Sequence, residues 1–272
     1  MIEENTLTKH VDLYSNYGHF TEQVLAAIRR ETFGEDIGQN SWLTTDEFDR
    51  FISWLRLEPQ QHVLEVASGS GGPARYLAEQ TGCHVTGIDA NEGGVETATQ
   101  SLSETDLTDR VTFKVADATA RLPFADNTFD GLICIDAMNH LPNRLNVFRE
   151  WHRVLSPEQR AVFTDPVLIT GPVTNAELAL RSSIGVFLFV PPGANEQMIE
   201  RAGFTLVQQE DVSENCASVA GRWHDARQRY KEALLKIEGE ERFADLQKFF
   251  AAVHAVTSER RLSRIVYVVE KP

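Results

Sequence analysis

Apolar positions change their period twice along the chain. In the first third they recur at helical spacing. Phe20, Val24, Leu25 and Ile28 share one face, and Gly34 is placed to end that helix. A second stripe, Phe48, Phe51, Ile52 and Leu55, follows Thr45, an N-cap candidate with Asp46 and Glu47 behind it, and Pro59 stops it. From residue 62, short and mostly apolar runs alternate with helical ones. Strands are predicted at 62–67, 84–89, 111–116, 129–135 and 160–168, with helices near 73–81, 92–103 and 144–155. That alternation is the mark of a parallel sheet covered on both faces, a doubly wound α/β fold. Beyond residue 170 it loosens. A helix is expected over 174–187, a short one over 194–201, a strand at 204–212, a long helical stretch over 216–256, and a last strand in RIVYVVEKP. These readings make a mostly parallel seven-stranded sheet with an N-terminal helical lid and a helical insertion before the last strand. Such additions belong over a site, because ligands of open α/β sheets bind at the carboxyl ends of the strands.

The densest local signal is the run from Val63 to Pro73: strand, glycine turn, helix. Glycine allows tight dihedrals and close approach of a ligand to the backbone, and the helix start offers unpaired N–H groups. Gly69-x-Gly71-x-x-Ala74 also satisfies the dinucleotide pattern, so a nicotinamide-dependent oxidoreductase is one reading of it. Its surroundings carry three acids. Glu65 lies inside the strand before the glycines. Asp89 ends the next strand, where a carboxylate takes two ribose hydroxyls. Asp117, followed by Ala118, comes after the third strand, where an acceptor reads an exocyclic amine.

Composition narrows the classes. The formal charge of −14 argues against a dedicated nucleic-acid binder. Cys83, Cys134 and Cys216 are too scattered for a disulfide framework, and the histidines show no metal-ligand spacing, so no metal is expected. MIEENTLTKH lacks the basic start and apolar stretch of a signal peptide, and the apolar run Ile184–Val190 is far shorter than the roughly 20 residues of a membrane helix. A cytoplasmic protein with a small-molecule substrate, and with neither nucleic-acid nor membrane partners, is the expectation. Oligomeric state is not readable.

Taken jointly, Glu65, Gly69, Gly71, Asp89, Asp117-Ala118, LPFADNTFD (122–130), DAMNHLPN (136–143) and REWHRVLSP (149–157) resemble a class I S-adenosylmethionine-dependent methyltransferase of the small-molecule type, over roughly residues 12–272. The resemblance implies a Rossmann-like single domain, with residues 1–57 as a helical cap, 58–212 as the cofactor-binding core, and 213–272 as lid and last strand. It implies S-adenosylmethionine as cofactor. Ala67, Gly69, Ser70 and Gly71 would contact its methionine part with Glu65 in support. Asp89 with Ala90 would hold the ribose, and Asp117 with Ala118 the adenine. Gln39, Ser41 and Trp42 match a family stretch that folds over the cofactor. Two departures stand out. Ala67 replaces the family's first glycine, and Ser156-Pro157-Glu158-Gln159-Arg160 replaces its Pro-Gly-Gly turn.

An alcohol or ammonium acceptor must lose a proton, and candidate bases cluster where strands end. His140 follows the fourth strand and Asp165 ends the fifth. In sugar and natural-product O-methyltransferases that the chain resembles, a His and an Asp at these places form the acid/base pair. In the phosphoethanolamine N-methyltransferase relatives the matching His works with an N-terminal tyrosine, here Tyr17 or Tyr14, and the acid aligned with Asp136 lies in the site. A binding protein that keeps the fold without catalysis is the remaining alternative. The cluster Arg222, Arg227, Arg229 and Lys231 with Trp223 and His224 reads as a solvated basic face.

Overall fold

The computed structural model describes residues 22–272; Tyr14, Tyr17 and Phe20 lie outside the described residues. Seven strands, β1 (His62–Val66), β2 (His84–Asp89), β3 (Val111–Val115), β4 (Phe129–Cys134), β5 (Leu155–Ile169), β6 (Thr205–Asp211) and β7 (Leu262–Glu270), form one sheet in the order β3-β2-β1-β4-β5-β7-β6. β1 to β5 are mutually parallel, and β7 is antiparallel to β5 and β6.

Alternation along each strand feeds two apolar layers, as a period of two requires. Leu64, Leu132, Phe163 and Tyr267 point to one face. They pack with Phe148 and Trp151 of α5 (Arg144–Val154) and Ile199 of α7 (Ala194–Arg201). Val63, Ile133, Val162 and Val266 point to the other. They pack with Phe48 and Phe51 of α2 (Thr45–Leu55), Leu77 of α3 (Gly72–Thr81) and Leu102 of α4 (Glu92–Leu102). Each such side chain, fully buried, contributes about 1.5–3 kcal/mol. A third apolar cluster lies apart from the sheet. Phe33 of α1 (Gln23–Phe33), Trp42, Cys216 and Val219 of α8 (Ser213–Arg229), and Phe249 and Phe250 of α9 (Lys231–Ser258) pack together. This cluster joins α1 and the segment around Trp42 to α8 and α9 as a lid.

Three elements differ from the expectation. The helix over 174–187 is only α6 (Asn175–Arg181), started by a capping box between Thr174 and Glu177. The residues after it are claimed by other groups. Leu188 N–H donates to the Asn139 carbonyl, Arg144 donates to the Leu188 carbonyl, and Val190 bridges to Leu168 beside β5. The stretch 216–256 is two helices, α8 and α9, and α9 is itself broken at Gly239, with φ 76°. β5 begins five residues early. Glu158 takes a left-handed φ of 64°, and its N–H bonds the Lys271 carbonyl, so the family's glycine turn is replaced by an irregular strand start. Among the described residues no helix is long and apolar enough to cross a membrane.

Candidate active site

Parallel pairing brings the carboxyl ends of β1 to β5 to one edge, and the strand order reverses between β1 and β4. A cavity of about 460 Å³ opens there, the size range of small-ligand sites. The residues that follow each strand form its floor: Ala67 after β1, Asp89 to Asn91 at β2, Ala116 to Thr119 after β3, Ile135 to Ala137 after β4, and Pro166 within β5. The lid supplies the roof, with Ser41, Trp42, Arg181, Phe187, Trp223, Phe249 and Phe250.

The glycine turn is built as its sequence predicts. Ala67, Gly69 and Gly71 all take positive φ, at 60°, 51° and 76°. Asp89 closes the turn from the next strand. Its Oδ2 accepts the Gly69 N–H at 2.8 Å, and its Oδ1 accepts the Asn91 N–H at 2.8 Å. Each oxygen keeps a further lone pair for a ribose hydroxyl. Asp117 also lines the cavity, with Oδ1 accepting both the N–H and the hydroxyl of Thr119. Asp89, Asp117, Ala67, Ala90, Ala118 and Ser41 therefore all reach the cavity. The small alanines leave room for a flat ring, and two carboxylates face the space it would fill. This donor and acceptor set fits an adenosyl group.

Gly69, Ser70, Gly71 and Glu65 are not among the residues that line the cavity. Ser70 is buried and donates to the Gly38 carbonyl at 3.1 Å, tying the turn to the N-terminal segment. A β-carbon on Gly71 would stand 2.3 Å from the Phe113 ring, so the close packing excludes a larger residue. Glu65 is buried, accepts the Ala74 N–H, and has no partner for Oε2 among the described residues. Burial, and then the charge of Asp89, push its carboxyl up to about 8. Gln39 likewise stays off the cavity, spending its amide on the Ile37 N–H and the Glu35 carbonyl.

The catalytic candidates separate. His140 is on the cavity wall, in a 3-10 turn spanning Met138–His140. Its Nδ1 lies 2.9 Å from the Val186 carbonyl, which only accepts, so that nitrogen is assigned the proton and Nε2 the lone pair. Its ring meets Phe187 edge to face at 4.7 Å. Burial pushes His140 down to about 4, and the charge of Arg181 adds to the shift.

Asp136 also reaches the cavity, but its oxygens are engaged. Oδ2 accepts the Trp42 N–H at 2.8 Å, while Oδ1 accepts from Thr164 at 2.8 Å and from Arg264 at 2.7 Å. Arg264 also pairs with Glu47, and Asn215 bridges Glu47 to the Trp42 carbonyl. Asp136 thereby pins the roof to the end of β4. Asp165 departs from its expected place. It is fully buried and absent from the cavity wall. It pairs with Arg144 at 2.5 Å, and both residues hydrogen-bond Asn195.

Several wall residues were not singled out as candidates from the sequence: Asn139, Arg181, Phe187, Phe249 and Phe250. Arg181 and the aromatics come from helices and turns far along the chain and carry no motif. Among the basic cluster, Trp223 lines the cavity, Arg227 is buried against Glu238, and Arg229 pairs with Glu31.

A doubly wound sheet whose crevice presents two strand-end carboxylates beside a glycine turn defines a class of nucleoside-cofactor-binding protein. Residues 64–163 match the methyltransferase domain family. The chain is 29% identical over 258 residues to 27-O-demethylrifamycin SV methyltransferase from Amycolatopsis mediterranei, covering 89% of this chain and 92% of that one. It is 30% identical to phosphoethanolamine N-methyltransferase 3 from Arabidopsis thaliana, over 79% of this chain and 42% of that one. Its fold superposes on phosphoethanolamine N-methyltransferase 2 from Haemonchus contortus, solved with phosphomonomethylethanolamine and S-adenosylhomocysteine (TM-score 0.80, 18% identity, 96% of this chain and 60% of that one). It matches the cyclopropane synthase MmaA2 from Mycobacterium tuberculosis equally well (TM-score 0.80, 18% identity, 98% of this chain and the whole of that one). The protein belongs to the S-adenosylmethionine-dependent methyltransferases, with S-adenosylmethionine as its cofactor.

Proposed function

We propose that this methyltransferase acts as a single domain on an acceptor atom (O, N or C) of a small metabolite, and that His140 is its general base. When bound, S-adenosylmethionine supplies an already activated methyl group, so the chain's tasks are alignment, exclusion of water and proton removal. Asp89 and Asp117 are the residues to hold ribose and adenine. The aromatic roof closes over the reacting atoms, and Asp136 positions Trp42 in that roof.

The observation that carries the assignment is the polarity of His140. A carbonyl fixes the proton on Nδ1, so the lone pair belongs to Nε2, in a side chain on the cavity wall. Burial keeps the ring neutral at physiological pH. A neutral imidazole suits an acceptor hydroxyl, and the charge of Arg181 in the same wall works against an ammonium acceptor. The relatives include enzymes named for both oxygen and nitrogen acceptors. Because Asp165 already neutralises Arg144, His140 is assigned the base role without it.

His140→Ala is expected to retain affinity for S-adenosylhomocysteine by calorimetry and to lose about 10²–10⁴-fold in turnover. Products are read by mass spectrometry after incubating metabolite extracts with methyl-labelled cofactor. Unchanged turnover would remove His140 from the mechanism.

A further inference from the structure

Five arginines of the described residues are buried, and four of them face a carboxylate. Arg144 has Asp165, Arg160 has Glu270, Arg227 has Glu238, and Arg264 has Asp136 and Glu47. Arg181 is the exception. It is 2% exposed, sits at the end of α6, and has no carboxylate within ion-pair distance among the described residues. Its Nε has no hydrogen-bond partner among the described residues. Its guanidinium stands instead over three rings of the cavity wall, at 4.8 Å from Phe187, 5.6 Å from Phe249 and 5.7 Å from Trp42. Ring faces offset part of a cation's lost hydration, but they leave its in-plane donors unused. Burial costs an unpaired charge far more than rings return. Burial pushes the Arg181 guanidinium down to about 10, and Asp136 and Asp165 offset only part of this from beyond contact distance, their own oxygens being spent on Arg264 and Arg144.

We propose that Arg181 is the acceptor-binding residue of this cavity, and that the acceptor is a carboxylic acid with an aromatic or aliphatic body. The rings around Arg181 take the body, and its planar fork takes the carboxylate in two parallel hydrogen bonds. A carboxylate fits better than a phosphate. Arg181 is the one arginine or lysine among the described wall residues, and a single fixed cation balances one negative charge, not two. This substrate class rests on the methyltransferase reading of the same cavity. It adds the requirement that the transferable site lie on a molecule anchored by its acid group.

The test uses the full-length protein and 3-phenylpropanoate beside its neutral amide, 3-phenylpropanamide, titrated by calorimetry into enzyme saturated with S-adenosylhomocysteine. Wild type is expected to bind the acid at least about tenfold more tightly than the amide, the scale of one charge-assisted contact. Arg181→Met is expected to bind acid and amide equally while keeping its affinity for S-adenosylhomocysteine, and Arg181→Lys to keep part of the preference. Equal binding of acid and amide by wild type would overturn the proposal. So would an Arg181→Met enzyme that binds S-adenosylhomocysteine poorly but 5′-methylthioadenosine normally, because Arg181 would then serve the cofactor's own carboxylate. Failure of wild type to bind S-adenosylhomocysteine at all would instead remove the methyltransferase reading, and the proposal with it.

Discussion

At Ala67 the chain places a β-carbon in the left-handed region, at φ 60°, where glycine would be unstrained. Asp136 does the same after the neighbouring strand, at φ 53°. Both strained residues line the cavity, and strain of this kind persists where surrounding contacts over-determine the backbone. Gly71 has no such latitude. Its φ of 76° is combined with a β-carbon position that lies 2.3 Å from Phe113 and 2.9 Å from Ala98. Gly71→Ala is expected to cost about 2–5 kcal/mol in urea unfolding, from crowding plus the left-handed penalty. A neutral result would show that Phe113 yields freely. Glu65 predicts a pH effect. Its carboxyl is raised to about 8 when folded, so the folded state holds a proton that the unfolded chain has lost. That stability is fully present below the ordinary glutamate value and drains away as pH rises towards 8. Glu65→Gln should flatten the fall of melting temperature across that window, and an unchanged slope would assign the fall to other groups. The glycines, Asp89 and Asp117 were legible because the turn and the strand ends are local. Glu65 in support of the turn was legible for the same reason, but its raised carboxyl was not, because that depends on burial by residues distant in sequence.

Among the elements, all seven strands could be read from the sequence, since apolar runs between glycines and helical stripes mark them directly. The extent of α6 could not. Residues 182–190 continue an apolar pattern, but His140, Arg144, Asn139 and Ile169 take their backbone groups one by one. The same reasoning displaces Asp165. Its position at a strand end suggested chemistry, whereas tertiary contacts give it to Arg144 and Asn195. Asp165→Ala would leave Arg144 buried without its carboxylate, and breaking such a pair costs about 3–5 kcal/mol. Chemical denaturation should show that loss. A variant of wild-type stability whose turnover collapses would restore Asp165 to the reaction.

Across the whole molecule, the sheet edge and the lid perform separate work. The edge gathers Ala67, Asp89, Asp117 and His140 from successive strand ends, an arrangement that parallel topology makes unavoidable. The lid, drawn from α1, the segment around Trp42, α6, α8 and α9, closes the space above them, and the Arg264 network with Glu47 and Asp136 fastens it. The edge could be derived from the sequence. The lid's contribution of Arg181, Trp223, Phe249 and Phe250 could not, because no period in the sequence shows which helix faces turn towards the same cavity. The central claim, an adenosyl cofactor held at that edge by Asp89, is tested most directly by calorimetry of S-adenosylhomocysteine against wild type and Asp89→Ala, with NADH alongside. Wild type should bind S-adenosylhomocysteine and ignore NADH, and Asp89→Ala should bind it at least about tenfold more weakly. Preference for NADH, or equal affinity of the two proteins for S-adenosylhomocysteine, would contradict it.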